Sequence, residues 1–364
     1  MKKMMLSWKL VPVLLLGALF LQNSCKLKED DETGTIEVYF AGYTTNSSGY
    51  EVPCYWENGI RVDLSYPAGH QGEARSIFVD GDSVFVAGYI TTSGGYEVPC
   101  YWQDGVRTDL PKSVDTGDGE CTSIWVKGTD IYIAGYSGGT PWPTIPHLWK
   151  NSIRSDLSVI DPARNGFANS IQVAGSDVYV AGLTTTAAGC FVPCYWKNGG
   201  RVDLSVQVVG KWGWGHAIFI SGSDIHVAGA TRNSSNINVP CTWKNGVRTD
   251  LSVIDPAKSA SAYGIFVSAG GVHAAGYATN SSNITAPCSW ENGTRTDLPV
   301  IDATRLGYAE SIYVFEGDVY VAGYCRNSSD VYVPCYWKNG IRSNLSVLDS
   351  TQIGAAKSVF VVKQ

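Results

Sequence analysis

Seven positions, each one repeat apart, carry Arg75, Thr122, Asn169, His216, Tyr263, Glu310 and Lys357, and no two are alike. Together they offer a guanidinium, an imidazole, a phenol, a carboxylate, an ammonium, an amide and a hydroxyl. The residues around them repeat closely, so this one position has escaped the constraint on its neighbours. Either it sits at an exposed mouth where side chains drift, or it forms an asymmetric polar ring that recognises one ligand. Beside it, Lys211-Trp212-Gly213-Trp214-Gly215 departs from the Ile-Asp-Pro phrase of its sister loops. Trp212 and Trp214 among glycines can make a stacking platform for a sugar or peptide, or can pack over the fold below. Trp142, beside Pro141 and Pro143, is a further aromatic of this kind.

Catalytic chemistry is poorly supplied. His216 and Glu310 share the ring, and Asp115, Asp118 and Glu120 are expected to cluster in one loop. No nucleophile elbow, paired-carboxylate motif or metal triad accompanies them. The expectation is a chain with no catalytic residue, no cofactor and no metal.

The elements that must hold the ring are set by an internal period. The Gly of a Val-Ala-Gly-Tyr phrase recurs at Gly42, Gly88, Gly135, Gly182, Gly229, Gly276 and Gly323, in steps of 46 and then 47 residues. A period of that length marks a repeat architecture. Each unit has four short segments rich in Val, Ile, Tyr, Phe and Trp, bounded by Gly, Asn, Asp or Ser, which is the strand pattern. The third and fourth segments are joined by Asn-Gly or Asp-Gly, as at Asn58-Gly59 and Asp104-Gly105, the chemistry of a two-residue hairpin. The third unit departs, with Asn151-Ser152.

Four antiparallel strands repeated seven times predict an all-β, seven-bladed β-propeller over residues 36–364, with an open solenoid as the rival fold. Closure favours the propeller. The first repeated strand, residues 37–43, is a second strand with no first, and residues 358–362 are a first strand with no second. Pairing them completes one blade, whereas an open array would need polar capping units. The seven repeat tryptophans, Trp56, Trp102, Trp149, Trp196, Trp243, Trp290 and Trp337, are expected to pack between blades. The two inner strands are expected to be buried, and the outermost, such as Ile60-Arg61-Val62-Asp63-Leu64, to alternate. Tight hairpin turns are assigned to one face of the disc. Longer connections, at residues 44–51, 137–144, 158–168 and 205–215, are assigned to the other, the long-loop face. The ring residues are placed just before each innermost strand, and binding is assigned to the long-loop face.

The chain has ten cysteines, and Cys54, Cys100, Cys194, Cys241, Cys288 and Cys335 share one third-strand position. On a sevenfold ring, neighbouring third strands stand about 9 Å apart or more, beyond the roughly 7 Å a disulfide spans. These six are read as buried thiols. His147 takes their place in the third unit and completes no metal cluster. Cys325 and Cys335 are expected to face each other across one hairpin, as are Cys190 and Cys194 less comfortably, and whether the first two pair stays open. The repeated Arg and Asp of the outer strands are read as surface ion pairs. The Asn-x-Ser/Thr stretches at Asn46, Asn233, Asn280, Asn283 and Asn327 are read as turn chemistry.

The N-terminus begins with Lys2, Lys3 and Lys9 before an apolar stretch at residues 10–21, too short for a membrane span. It resembles a bacterial lipoprotein signal over residues 1–24, with Cys25 the lipidated residue, though Gln22 takes the usual Leu position. The acidic run that follows, Glu29 to Glu32, resembles the surface-export signal of Bacteroidetes lipoproteins. Residues 25–35 form a tether of roughly 35–40 Å at full reach. Loss of three lysines and no acids lowers the net charge from −6 to −9. So acidic a chain does not suit nucleic acid. The expected address is the cell envelope, as a surface-exposed outer-membrane lipoprotein.

The phrase Pro-x-x-Trp-Lys-Asn-Gly-x-x-x-Asp-Leu, at Pro193 to Leu204, followed by Ser-Ile-x-Val and Val-Ala-Gly-Tyr phrases, resembles the HAF family of extracellular repeats. The resemblance covers residues 36–364. It implies the propeller architecture and carries no catalytic residue across. The function expected is a non-enzymatic, monomeric, lipid-anchored propeller binding a glycan, peptide or protein. The alternatives are a polysaccharide hydrolase or lyase acting at His216 and Glu310, and a structural component of envelope assembly.

Overall fold

The structure is a computed structural model that describes residues 34–139 and 142–364, the side chain of Trp142 excepted. The expected signal, Cys25, all but the last two residues of the tether, and the Trp142 side chain lie outside the described residues. Contacts separate residues 35–364 as one compact unit.

Among the described residues there are twenty-eight strands and no helix, arranged as seven four-stranded antiparallel sheets. The second blade is typical: β4 (Gly72–Asp80) is innermost, followed outward by β5 (Ser83–Thr91), β6 (Glu97–Gln103) and β7 (Val106–Asp109). The first blade is composite. The last strand of the chain, β28 (Gly354–Lys363), pairs with the first, β1 (Ile36–Thr45), from Ile36 opposite Lys363 to Thr44 opposite Gly354. The propeller is therefore closed by its own chain ends, as the half-blades in the sequence require.

Tryptophan fills each gap between blades. All seven repeat tryptophans are at most 1% exposed. Each donates its indole N–H to a carbonyl in the neighbouring blade: Trp102 to Ser65, Trp196 to Ser158, Trp243 to Ser205, and across the closure Trp56 to Ser346 at 2.7 Å. The same serines reach back, Ser205 Oγ donating to the Gly246 carbonyl and Ser346 Oγ to that of Gly59. Each indole thus combines apolar burial with a satisfied polar edge.

Asn-Gly does two jobs. Asn198 and Gly199 hold φ of 50° and 81°, the left-handed pair the turn needs, and Asn198 Oδ1 accepts the Val178 N–H of the second strand at 2.9 Å. Every blade repeats that bond, from Asn58, Asp104, Asn151, Asn245, Asn292 and Asn339. In the third blade Ser152 must hold φ 66° in place of glycine. Left-handed backbone costs a side-chain-bearing residue about 1–2 kcal/mol, and glycine returns part of that through its freer unfolded chain. Ser152→Gly is thus expected to stabilise by about 0.5–1 kcal/mol, raising the denaturant midpoint at constant m-value. A lowered midpoint would contradict this.

Two expectations are corrected. The outer strands do not alternate as read: Ile60, Val106, Ile153, Val247 and Ile341 are 70–74% exposed. Each directly follows the hairpin turn, where no blade lies beyond it, and only the later Leu64 turns inward at 2%. The loops between second and third strands are also shorter than expected. In the first blade only residues 46–50 separate the strands, because the strands run on to the disc surface. Asn46 Oδ1 caps that turn by accepting the Ser48 and Tyr50 N–H groups, and Asn233, Asn280 and Asn327 do the same. The connections between blades, such as residues 204–212, supply the longer loops.

The shared-position cysteines are buried free thiols, and burial pushes those of Cys54 and Cys241 up to about 12. Cys325 and Cys335 are free thiols with Sγ atoms 3.7 Å apart. They do not face each other as expected but sit diagonally, Cys325 opposite Val333 and Cys335 opposite Gly323, because the strand register sets them two residues apart.

Candidate functional site

Ring residues were expected just before each innermost strand, but they lie inside it. In β4 the register shifts between Ala74, opposite Gly88, and Ser76, opposite Ala87, which leaves Arg75 unpaired. The same single-residue bulge isolates Thr122, Asn169, His216, Tyr263, Glu310 and Lys357. A bulge bends the strand and re-aims its extra residue. Here it turns all seven side chains to one axis, where they line a cavity of about 330 Å³ with Glu120 and Tyr136. The ruler glycines are its counterpart. A Cβ on Gly182 would collide with the Phe167 carbonyl of the bulged strand and stand 2.8 Å from Trp196 Cζ3. Period and mouth are therefore one feature.

Below the mouth the channel changes character. Ser76, Ser123, Ser170, Ser311 and Ser358 follow the bulge and accept a backbone N–H from the next blade, as Ser170 Oγ does from Ile218 at 3.2 Å. Further down, Phe78, Trp125, Phe219, Phe266, Tyr313 and Phe360 ring the channel, with Phe219 and Phe266 4.6 Å apart. Gln172 takes the seventh place. The polar end of the channel is thus the mouth on the long-loop face.

Charge at the mouth is paired. Arg75 lies 3.2 Å from Glu73 and 3.3 Å from Glu120, and Lys357 lies 3.2 Å from Glu310. Burial works against the Arg75 charge, but Glu73 and Glu120 outweigh it and hold its pKa above the usual range. Behind Arg75, burial and then Glu120 push the Glu97 carboxyl up to about 8, and burial and then Glu73 raise Glu51 to about 7. Burial lowers His216 to about 4, so it is neutral near pH 7 and stands edge-on to Tyr263 at 4.9 Å. Asn169 Nδ2 donates to the Gly215 carbonyl at 2.8 Å, and Thr122 Oγ1 to that of Ala168 at 2.8 Å.

Trp212 and Trp214 do not line this cavity. Phe191 lies 4.5 Å from the Trp212 ring and the Arg232 guanidinium 4.4 Å from it, the distances a stacked sugar would need. Trp214 packs 6.2 Å from Trp212 and 5.5 Å from Arg232. Stacking partners from within the fold therefore already meet this pair.

Sequence reasoning missed Glu73 and Tyr136 at the mouth, and it put Glu120 in an acidic loop, whereas Asp118 and Glu120 lie in the innermost strand β8 (Asp118–Lys127) and bring Glu120 to the cavity. For the glutamates the signal was available two residues before the ring, where Glu73 and Glu120 are followed in the series by Phe167, Trp214, Ser261, Tyr308 and Ala355; Tyr136 is the Tyr of the repeated phrase and carried no signal. It missed a second constellation. Ser137 Oγ is 2.7 Å from His147 Nε2, and His147 Nδ1 is 2.9 Å from Asp156. Those are the distances of a nucleophilic triad, yet Ser137 and His147 are 0% exposed and Ser137 Oγ accepts the Ser113 N–H. Burial lowers His147 to about 4. With no substrate-accessible oxygen, the group does the packing that cysteine does in the other blades.

No family model matches the chain, and no curated protein matches it. Among solved structures it is similar to AofleA from Arthrobotrys oligospora, at 10% identity and a TM-score of 0.45, covering 79% of this chain and 88% of that one. A mutant of AofleA gives 10% identity and 0.45, covering 82% and 90%. Neither likeness bears on ligand or chemistry at that level.

Proposed function

We propose that this chain is a non-enzymatic binding propeller that takes an extracellular glycan, peptide or protein at the mouth on its long-loop face. The observation that carries the reading is the convergence of seven unlike side chains from seven equivalent bulges on one cavity. A fold that repeats its packing residues so closely has no structural need for this variety. Convergent polar groups in a concavity of a rigid scaffold are the usual makings of a binding site.

The reading extends to address. The sequence at Cys25 supports a lipid anchor at the cell envelope. Ile36 and Lys363 lie where β1 begins and β28 ends, on the tight-turn side of the disc.

The test is a glycan and peptide array followed by calorimetry on wild type and Asn169→Trp, a change that fills the mouth. The variant is expected to lose at least about tenfold in affinity, about 1.4 kcal/mol, with little change in melting temperature. Affinity equal to wild type would remove the mouth as the site. Release of shortened products from a bound glycan would instead favour the hydrolase or lyase alternative.

A further inference from the structure

We propose that the site continues outward from the mouth along a track of tyrosines that holds an extended, uncharged glycan chain. The inference rests on the mouth being a binding site, as above. From His216 the track passes to Tyr263 at 4.9 Å between ring centroids, to Tyr277 at 5.6 Å and to Tyr308 at 5.2 Å. It goes on to Tyr324 at 5.4 Å and Tyr332 at 5.3 Å. All five tyrosines are partly exposed. They come from the long-loop ends of two adjacent blades, so one continuous aromatic surface leads away from the cavity.

Tyr277 and Tyr324 stand at the Tyr of the repeated Val-Ala-Gly-Tyr phrase, as Tyr43, Tyr89 and Tyr136 do, so the rings particular to these blades are Tyr263, Tyr308 and Tyr332. Tyr308 occupies the position held elsewhere by Glu73, Glu120, Phe167, Trp214, Ser261 and Ala355. Tyr332 occupies that of Glu51, Glu97, Thr144, Phe191, Asn238 and Thr285. Glutamate, serine, threonine, asparagine and alanine serve the same backbone in other blades, beside Phe167, Trp214 and Phe191, so the repeat does not need tyrosine at these two positions.

The chemistry selects the ligand class. A phenol ring offers a flat apolar face to sugar C–H groups and a hydroxyl to sugar oxygens, and a track offers several in series. Charge is the discriminator. Lys357, over Tyr324 at 5.1 Å, is held by Glu310, and Arg326, over Tyr332 at 5.4 Å, shares Asp330 with Arg305, at 3.4 Å and 2.9 Å respectively. A polyanion would have to displace Glu310 from Lys357 and Asp330 from its two arginines, and a polycation would have to displace the cations. An uncharged chain displaces neither.

The experiment is calorimetry of the full chain with cello-, manno- and xylo-oligosaccharides of two to six units, and with oligogalacturonates of the same lengths. One neutral series is expected to bind, with affinity rising about tenfold or more from two to six units. Tyr308→Ala and Tyr332→Thr, residues the fold already accepts at Ala355 and Thr285, are expected to erase that gain and leave disaccharide affinity unchanged. Asn169→Trp is expected to abolish binding at every length. Affinity flat with length, or a length gain that survives both tyrosine changes, would overturn the track while leaving the mouth in place. Preference for oligogalacturonates would overturn the uncharged class. Binding by none of the series would overturn the glycan track, and a peptide bound at the mouth would then identify the occupant.

Discussion

Gly182→Ala is expected to destabilise the propeller by about 2–4 kcal/mol, although it adds a single methyl group. The added carbon meets the Phe167 carbonyl and the edge of Trp196, both held by paired backbone and a filled core. Neither can retreat as a flexible side chain could. Relief would come only by straightening the bulge at Asn169, which would withdraw that residue from the mouth and break its bond to Gly215. Stability and binding should therefore fall together. Gly199→Ala is the comparison: its Cβ meets nothing within 4 Å, and the cost there is the left-handed φ of 81° alone, about 1 kcal/mol. Chemical denaturation of the two variants decides the matter. A smaller loss at Gly182 than at Gly199 would mean that the bulge yields cheaply and that the period has another cause.

Much of the fold was legible because its determinants are local and recur. Asn-Gly turns, strand-length apolar runs and unpaired half-blades at the two ends each constrain the architecture independently. The ring residues were found because they break a pattern, and all seven meet at one cavity. Their strand position was misread because a bulge leaves no composition signal of its own; its trace is the glycine opposite, on the neighbouring strand. Glu120 was noticed only as part of an acidic stretch, since its partner Arg75 stands on another blade. The tyrosine track was illegible for the same reason. Tyr277, Tyr308 and Tyr332 occupy three different repeat positions, and only the curvature of the disc brings their rings together. Trp212 and Trp214 invited attention by spacing, whereas their contacts with Phe191 and Arg232 depend on register.

Trp243→Ala is expected to cost about 3–5 kcal/mol, the range for a large buried aromatic in a core that refills only partly. The side chain is 0% exposed among Tyr179, Ala181, Leu204, Ile218 and Val227, residues drawn from two blades. Its loss also leaves the Ser205 carbonyl without its 2.8 Å donor. Trp243→Phe separates the contributions: most of the area stays, and the missing hydrogen bond should cost about 1 kcal/mol beyond any packing loss. The same substitution at Trp56 tests closure. That indole sits between the first blade and the seventh and bonds Ser346, 290 residues away. In an open array an end blade frays, and a contact there adds little to global stability. In a ring joined by β1 and β28, every interface must part for the molecule to unfold. Trp56→Ala and Trp243→Ala should then lose the same stability to within about 1 kcal/mol. A much smaller loss at Trp56 would show that the seam opens before the rest, and that the disc is held by six interfaces rather than seven.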